Sequence, residues 1–165
     1  MTFPPSLYRA GHQAFALLLL LALCLGVGFL GSLVTGPAVE SWYPTLTLPS
    51  WRPPNAAFPI VWTTLYVLMA VSAWLVWRKR PFAEVRDALI LFAVQLGANL
   101  AWSFLFFGLR SPLLGLLDIL LLDLLLVAMI VVFWRHDRLA TALNLPYLGW
   151  VLFATALNLW IVFEN

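Results

Sequence analysis

Gly36-Pro37-Ala38-Val39-Glu40-Ser41-Trp42-Tyr43-Pro44-Thr45-Leu46-Thr47-Leu48-Pro49-Ser50-Trp51-Arg52-Pro53-Pro54-Asn55-Ala56-Ala57-Phe58-Pro59 interrupts a sequence otherwise built of long apolar runs. Six of the eleven prolines fall between Pro37 and Pro59. Proline lacks a backbone donor and fixes φ, so the stretch predicts a loop rather than a regular helix. Long loops with no helix or strand of their own are uncommon in compact proteins and tend to be lids or binding loops. With Trp42 and Trp51 set among the prolines, the segment reads as a stiff aromatic strap that joins two apolar spans and covers a site. Its candidate lid residues are Trp42, Pro49, Trp51, Arg52, Pro53 and Pro54.

Working outward from the strap, the chain is 64% hydrophobic and 10% charged over 165 residues. A soluble domain of that size has no interior large enough for so much apolar surface, so the class is membrane protein. Five segments reach the roughly 20 apolar residues that cross a hydrocarbon core as helix: Gln13–Val34, Phe58–Trp77, Ala88–Leu109, Leu113–Trp134 and Leu139–Phe163. The predicted fold is an all-α bundle of five transmembrane helices, one domain over residues 1–165, with the Pro/Trp-rich first loop capping a pocket. The runs lack the inside/outside alternation of a membrane barrel. The first is too long for a signal peptide, and no small-x-small cleavage site follows it before the strap.

Charge reports orientation. Arg9, Arg78, Lys79, Arg80, Arg86, Arg135 and Arg138 fall on one side of the predicted bundle, and Arg52 and Arg110 on the other. The excess of basic residues places the N-terminus in the cytoplasm and the strap and C-terminus outside, in a cell membrane of bacterial type. The basic pI therefore carries no expectation of nucleic-acid binding. Pro81 and Pro112 fall where helices must stop. Pro146, inside the last run, reads as a kink, because membrane helices tolerate proline. Trp74, Trp77 and Trp134 read as an interfacial aromatic belt.

Polar and aromatic residues inside the spans recur at helical spacing. Trp62, Tyr66, Met69 and Ala73 share one face of span two, and Gln95, Asn99, Trp102 and Phe106 one face of span three. Trp150, Ala154 and Asn158 form a stripe on span five with Leu157 beside it, and Asp118 stands near the strap end of span four. Amides and carboxylates are costly in hydrocarbon, so they face the bundle interior or a hydrated cavity. Two readings stand for Gln95, Asn99 and Asn158: interhelical hydrogen bonds that lock the bundle, or polar handles in an aromatic ligand pocket. At about 1.5 Å per residue, Trp62 lies roughly 6 Å below the outer surface and Trp150 roughly 17 Å above the inner one, close in depth within a core about 30 Å thick. Asp123 lies about 140° round the helix from Asp118; it either carries its proton or faces a partner subunit.

Other chemistries find no support. His12 and His136 fall on the side opposite the strap, and no His/Cys/Asp cluster has metal-ligand spacing, so no metal is expected. There is no Gly-rich phosphate loop and no nucleophile–base pair. Cys24 is alone in span one and reads as a packing residue. Ala22, Gly26, Gly28, Gly31 and Ser32 would let two helices approach closely, within the bundle or at a seam between two copies.

Taken together, Trp42-Tyr43-x-x-Leu46-x-x-Pro49-x-Trp51-x-Pro53-Pro54, Phe58-Pro59-x-x-Trp62-x-x-x-Tyr66, Gln95-x-x-x-Asn99-x-x-Trp102-x-x-x-Phe106-Phe107-Gly108, Asp118, and Pro146-Tyr147-x-x-Trp150-x-x-x-Ala154-x-x-Leu157-Asn158 resemble the tryptophan-rich sensory proteins (TspO), relatives of the mitochondrial translocator or peripheral benzodiazepine receptor. The resemblance implies a five-helix bundle, commonly a homodimer, with a ligand cavity closed by the first loop. It implies binding of porphyrins, haem-like tetrapyrroles and other hydrophobic small molecules, with no obligatory cofactor. Carried over by motif, the ligand-binding residues would be Tyr43, Trp62, Tyr66, Asn99, Trp102, Asp118, Trp150, Ala154 and Leu157. In some bacterial relatives the tryptophans matching Trp62 and Trp150 are linked to light- and oxygen-dependent porphyrin breakdown, which makes these two the candidate catalytic residues. Arg52, the strap's one cation, is either a partner for porphyrin propionates or a solvated surface arginine. The sequence departs from the pattern in two places: Leu48 stands where many relatives carry a lysine, and the C-terminal sterol-type motif is missing. The leading functional expectation is a membrane receptor or sensor for porphyrin-type ligands, with oxidative degradation or transport of the same ligands as further readings.

Overall fold

The computed structural model describes residues 5–165 apart from Lys79, with side chains described from Gly11 onward. The side chain of Arg9 and the whole of Lys79, two of the orientation cations, lie outside the described residues. Five helices are present, α1 (Pro5–Ser41), α2 (Ala57–Trp77), α3 (Phe82–Ser103), α4 (Pro112–His136) and α5 (Arg138–Glu164), with no strand among the described residues. All five are long and apolar enough to cross a membrane.

The expected loop boundary is corrected. α1 runs past Val34 to Ser41 and takes in Pro37, so the strap begins at Trp42. Proline disfavours helix at the preceding residue because its Cδ meets that residue's Cβ. Here the preceding residue is Gly36, which has none. The Ser41 hydroxyl then donates to the Pro37 carbonyl at 2.7 Å, and the Trp42 N–H bonds the Ala38 carbonyl at 2.9 Å, completing the last turn. Within the strap the backbone makes one short 3-10 turn, Tyr43–Thr45, before α2 begins.

The other ends follow local chemistry. Pro81 precedes α3, which starts at Phe82 rather than at the expected Ala88 because its first turns are charged rather than apolar. Pro112 opens α4, with the Ser111 hydroxyl accepting from the Leu114 N–H at 3.3 Å. Asp137 Oδ1 accepts the N–H groups of Leu139 and Ala140 at 2.9 and 3.0 Å and so caps α5. α5 continues through Pro146 without a break. α3 ends in a π-helical turn, Phe104–Gly108, closed by the Leu109 N–H on the Phe104 carbonyl at 2.8 Å. Arg110 then takes a positive φ of 52°. The wide turn buries Phe106 and Phe107 side by side.

The helices close into a ring in the order α1, α2, α5, α4, α3, with α3 returning to α1. Two glycines make the ring tight. A Cβ on Gly28 would come within 2.6 Å of the Tyr66 ring, and one on Gly115 within 2.7 Å of Phe106. α1 is the least buried helix, with Phe15, Leu18, Leu19, Leu23 and Phe29 facing outward. The small-residue stripe of span one therefore divides. Gly28 and Gly31 pack inward on α2 and α3, while Ala22 and Ser32 are exposed.

At the end away from the strap, the Arg78 guanidinium lies 4.6 Å from the Trp74 ring centre and that of Arg138 lies 5.1 Å from the ring centre of Trp134. These are cations over aromatic faces at headgroup depth. Trp74 does more than line the interface: its N–H donates to the Gln13 carbonyl at 3.1 Å, and Gln13 Nε2 donates to the Arg78 carbonyl at 3.1 Å, tying α1 to α2.

Candidate functional site

The stripes on α2, α3 and α5 meet inside the ring, where they form one continuous hydrogen-bonded chain. The Tyr66 hydroxyl donates to Asn99 Oδ1 at 2.5 Å, and Asn99 Nδ2 donates to the Tyr147 hydroxyl at 2.9 Å. Tyr147 in turn donates to Gln95 Oε1 at 3.0 Å, and Gln95 Nε2 points at Met69 Sδ at 3.9 Å. Tyr66, Asn99, Tyr147, Gln95 and Met69 are all buried. A buried amide left unpaired would cost about 1–3 kcal/mol, so complete pairing is what the environment demands. The chain closes the middle of the bundle.

A second network sits nearer the strap. Trp102 Nε1 donates to Asn158 Oδ1 at 3.2 Å, and Asn158 Nδ2 donates to the Pro112 carbonyl at 2.8 Å, joining α3, α5 and the start of α4. Trp102 stacks on Phe106 with ring centres 5.0 Å apart. Gln95, Asn99 and Asn158 thus all make the interhelical bonds of the bundle-locking reading.

Above the closed centre lies an aromatic tier. On the seam between α2 and α5, Phe58 meets Trp150 edge to face at 5.7 Å, and one turn deeper Trp62 meets Tyr147 at 6.1 Å. Trp62 and Trp150 therefore occupy neighbouring rungs of one seam. Trp150 also contacts Phe153 at 5.7 Å, and Phe153 meets Trp51 of the strap at 5.7 Å. The Trp150 indole N–H is buried and makes no hydrogen bond. Asp118 Oδ2 is likewise buried and unpaired, on a half-buried residue of α4. Leu157 is buried, and Ala154 is half-buried against the same core.

The strap covers this tier from two sides. Trp42 and Tyr43 pack on the π-turn phenylalanines, Trp42 at 5.6 Å from Phe106 and Tyr43 at 5.8 Å from Phe107. Trp51 spans to α5, touching Phe153 and Trp160. Pro49 is buried, Pro53 half-buried and Pro54 exposed. Arg52 donates to Asn55 Oδ1 at 2.9 Å, a bond within the strap. Burial pushes the Tyr43 phenol above its ordinary pKa, and the nearby positive charge of Arg52 offsets part of that rise.

Several contributors were not singled out as site residues from sequence. Tyr147 is the hub of the central chain, and its signal was present: Tyr147, Trp150, Ala154 and Asn158 fall at i, i+3, i+7 and i+11, one stripe extended by a turn. Phe58 and Phe153 carried no polar mark to separate them from other apolar residues. Asp123 turns toward α5, where the Thr155 hydroxyl lies 2.8 Å from its Oδ2. It is buried within the chain rather than presented to a partner subunit. Among the described residues no group of His, Cys, Asp and Glu could hold a metal ion.

The family model described as TspO/MBR family matches residues 20–163. The tryptophan-rich protein TspO of Chlorobaculum tepidum is 44% identical over 157 residues, covering 93% of this chain and 98% of that protein. The protein of the same name from Archaeoglobus fulgidus is 43% identical over 141 residues, 86% and 91% of the two chains. The translocator protein of Homo sapiens is 37% identical over 139 residues, 83% and 82% of the two. With its five membrane-crossing helices and this match over most of its length, the chain is a multi-pass membrane protein that belongs to the TspO/MBR family.

Proposed function

We propose that this protein is a membrane receptor for porphyrin-type tetrapyrroles, which it binds in the strap half of the bundle. The observation that carries the reading is Trp150, half-buried against Phe58 and Phe153 with its indole N–H buried and unpaired, Phe153 being also the ring that Trp51 of the strap meets. Flat apolar macrocycles stack well on such ring faces, and a buried donor without an acceptor gains from a ligand that supplies one. Trp62, Tyr43, Trp102, Ala154 and Leu157 line or support the same tier. Tyr66 and Asn99 belong to its floor, since both groups of the Asn99 amide are held within the bundle. Asp118 Oδ2 is a second unpaired group, suited to a pyrrole N–H. Arg52, bonded to a neutral amide rather than a carboxylate, keeps its charge for the propionates.

Titration of the purified protein with protoporphyrin IX, followed by quenching of tryptophan fluorescence, tests the reading. Trp150→Phe and Trp62→Ala should each weaken binding, while Trp74→Ala, at the far end, should not. Equal losses in all three would report general unfolding instead of a site. The adjacent rungs of Trp62 and Trp150 also favour light-dependent oxidation of the bound ligand. A porphyrin spectrum unchanged by illumination in air, with binding retained, removes that part.

The orientation proposed is strap outside, with the end bearing Arg78, Arg80, Arg86, Arg135 and Arg138 in the cytoplasm. Pairing of two copies through the outward face of α1, where Ala22 leaves room, fits the same reading. Cysteine cross-linking from position 22 tests it.

A further inference from the structure

A cavity lies at the opposite end of the bundle from the strap. It has a volume of about 310 Å³ and opens where α2, α3, α4 and α5 come together, lined by Leu75, Val76, Arg80, Glu84, His136 and Asp137, with Pro81 at its edge. That is at the small end of the size range for small-molecule sites. None of these residues takes part in the aromatic tier, so the cavity is independent of the tetrapyrrole reading.

Its chemistry is dipolar. Arg80 Nη1 stands 3.6 Å from Glu84 Oε2, and both side chains are about half exposed. That distance is longer than a charge-assisted hydrogen bond, and an exposed pair of this kind contributes little. The guanidinium and the carboxylate can therefore separate and each take a better partner. His136 Nδ1 is buried and makes no hydrogen bond. Asp137 commits Oδ1 to capping α5, which leaves Oδ2 for another donor. A small chamber thus offers two groups suited to an oxyanion, Arg80 and His136, and two carboxylates suited to an ammonium, Glu84 and Asp137. Leu75 and Val76 add an apolar wall. Trp77 and Trp134 sit at the same ends of α2 and α4, the depth at which interfacial aromatics meet lipid headgroups.

We propose that this cavity binds a phosphoethanolamine group, its phosphate on Arg80 and His136 and its primary ammonium on Glu84 and Asp137. The group is carried by a phospholipid of the adjacent leaflet or by a free amino-phosphate. The carboxylates supply the selectivity. A quaternary choline has no N–H to give them, and the neutral glycerol of phosphatidylglycerol brings no positive charge to pair with them.

Phosphatidylethanolamine, phosphatidylcholine and phosphatidylglycerol are titrated separately against the detergent-solubilised protein, with bound lipid counted by native mass spectrometry. The ethanolamine lipid should bind at least about threefold more tightly than the other two, a difference under one decade in Kd. Glu84→Gln should abolish the preference for ethanolamine over choline. Arg80→Gln should weaken all three lipids. In both variants porphyrin quenching and the unfolding temperature should stay as in the parent, which separates a lost site from a lost fold. Soluble phosphoethanolamine identifies the source: competition with the lipid assigns the site to the free molecule as well, and failure to compete assigns it to the lipid. Equal affinity for the three lipids, or an ethanolamine preference that survives Glu84→Gln, overturns the proposal.

Discussion

The side-chain amide of Asn165 pairs with both backbone groups of Thr47: Asn165 Oδ1 accepts from the Thr47 N–H at 2.8 Å, and Asn165 Nδ2 donates to the Thr47 carbonyl at 3.2 Å. The amide thereby imitates a neighbouring strand and fixes the middle of the strap to the end of α5. Asn165 Nδ2 also reaches the Ile161 carbonyl at 2.9 Å, which anchors the amide to the helix itself. Asn165→Ala removes both bonds to the strap and Asn165→Asp removes the donor. Each should raise amide hydrogen exchange across residues 44–56 while leaving α2 and α5 protected. Because these bonds are exposed, the expected cost is about 0.5–1.5 kcal/mol each. Unchanged exchange in the strap would show that Trp51 and Tyr43 alone hold it.

Tyr147→Phe deletes the hydroxyl that links Asn99 to Gln95 and leaves two buried amide groups short of a partner. Interhelical hydrogen bonds in membrane proteins average about 0.6 kcal/mol, so the variant should lose roughly 1–2 kcal/mol. Tyr66→Phe removes one bond and should lose about half as much. Unfolding in mixed micelles with a graded denaturing detergent provides the measurement.

Gly28→Ala sets a methyl group against the Tyr66 ring at 2.6 Å, a separation no carbon pair sustains. Tyr66 must move, and its bond to Asn99 is strained or lost. Overpacking of this kind costs about 1–3 kcal/mol. Gly26→Ala, where a Cβ meets nothing within 4 Å, changes helix propensity alone and should be neutral to stabilising by up to about 1 kcal/mol. The contrast between two neighbouring glycines in one helix isolates packing from helix propensity.

The Tyr43 phenol gives the strap a response to alkali. Burial raises its pKa above the ordinary 10.0 in the folded protein. A group whose folded pKa is raised contributes stability that is full below the unfolded pKa and is lost as pH climbs through the folded one. The strap should therefore remain seated at pH 9 and loosen only above pH 10, together with a rise in phenolate absorbance that is smaller in Tyr43→Phe, which keeps three of the four tyrosines. Arg52→Gln withdraws a positive charge that favours the phenolate, so the onset should move to higher pH.

Much of this arrangement was legible in the residues. Five apolar runs fixed the helix count, and the spacings of Trp62, Asn99 and Trp150 placed them on inward faces, because polar groups in hydrocarbon have few other places to go. What was not legible depended on rotation and neighbours. Pro37 argued for a loop, yet the helix passes through it, eased by the absence of a Cβ on Gly36, as α5 passes through Pro146. Asn99 gave no sign of whether its amide would be shared with a ligand or held by Tyr66 and Tyr147, since either arrangement satisfies the same hydrogen-bonding demand. Asp123 needed the azimuth of α4 relative to Thr155, which no periodicity within a single helix supplies.

The ring order sets a schedule for assembly in the membrane. α2 has its chief polar partners on α3 and α5, and Ser72 donates to the Ala140 carbonyl at 2.7 Å and accepts from Asn144. α2 precedes α5 in the chain, so Ser72 gains these partners only when α5 docks to close the circle. An insertion intermediate of four helices would therefore show unsheltered hydroxyl and amide groups to the bilayer, which is the feature a membrane chaperone or protease can sense. The fifth helix is the keystone of the ring, packed between α2 and α4.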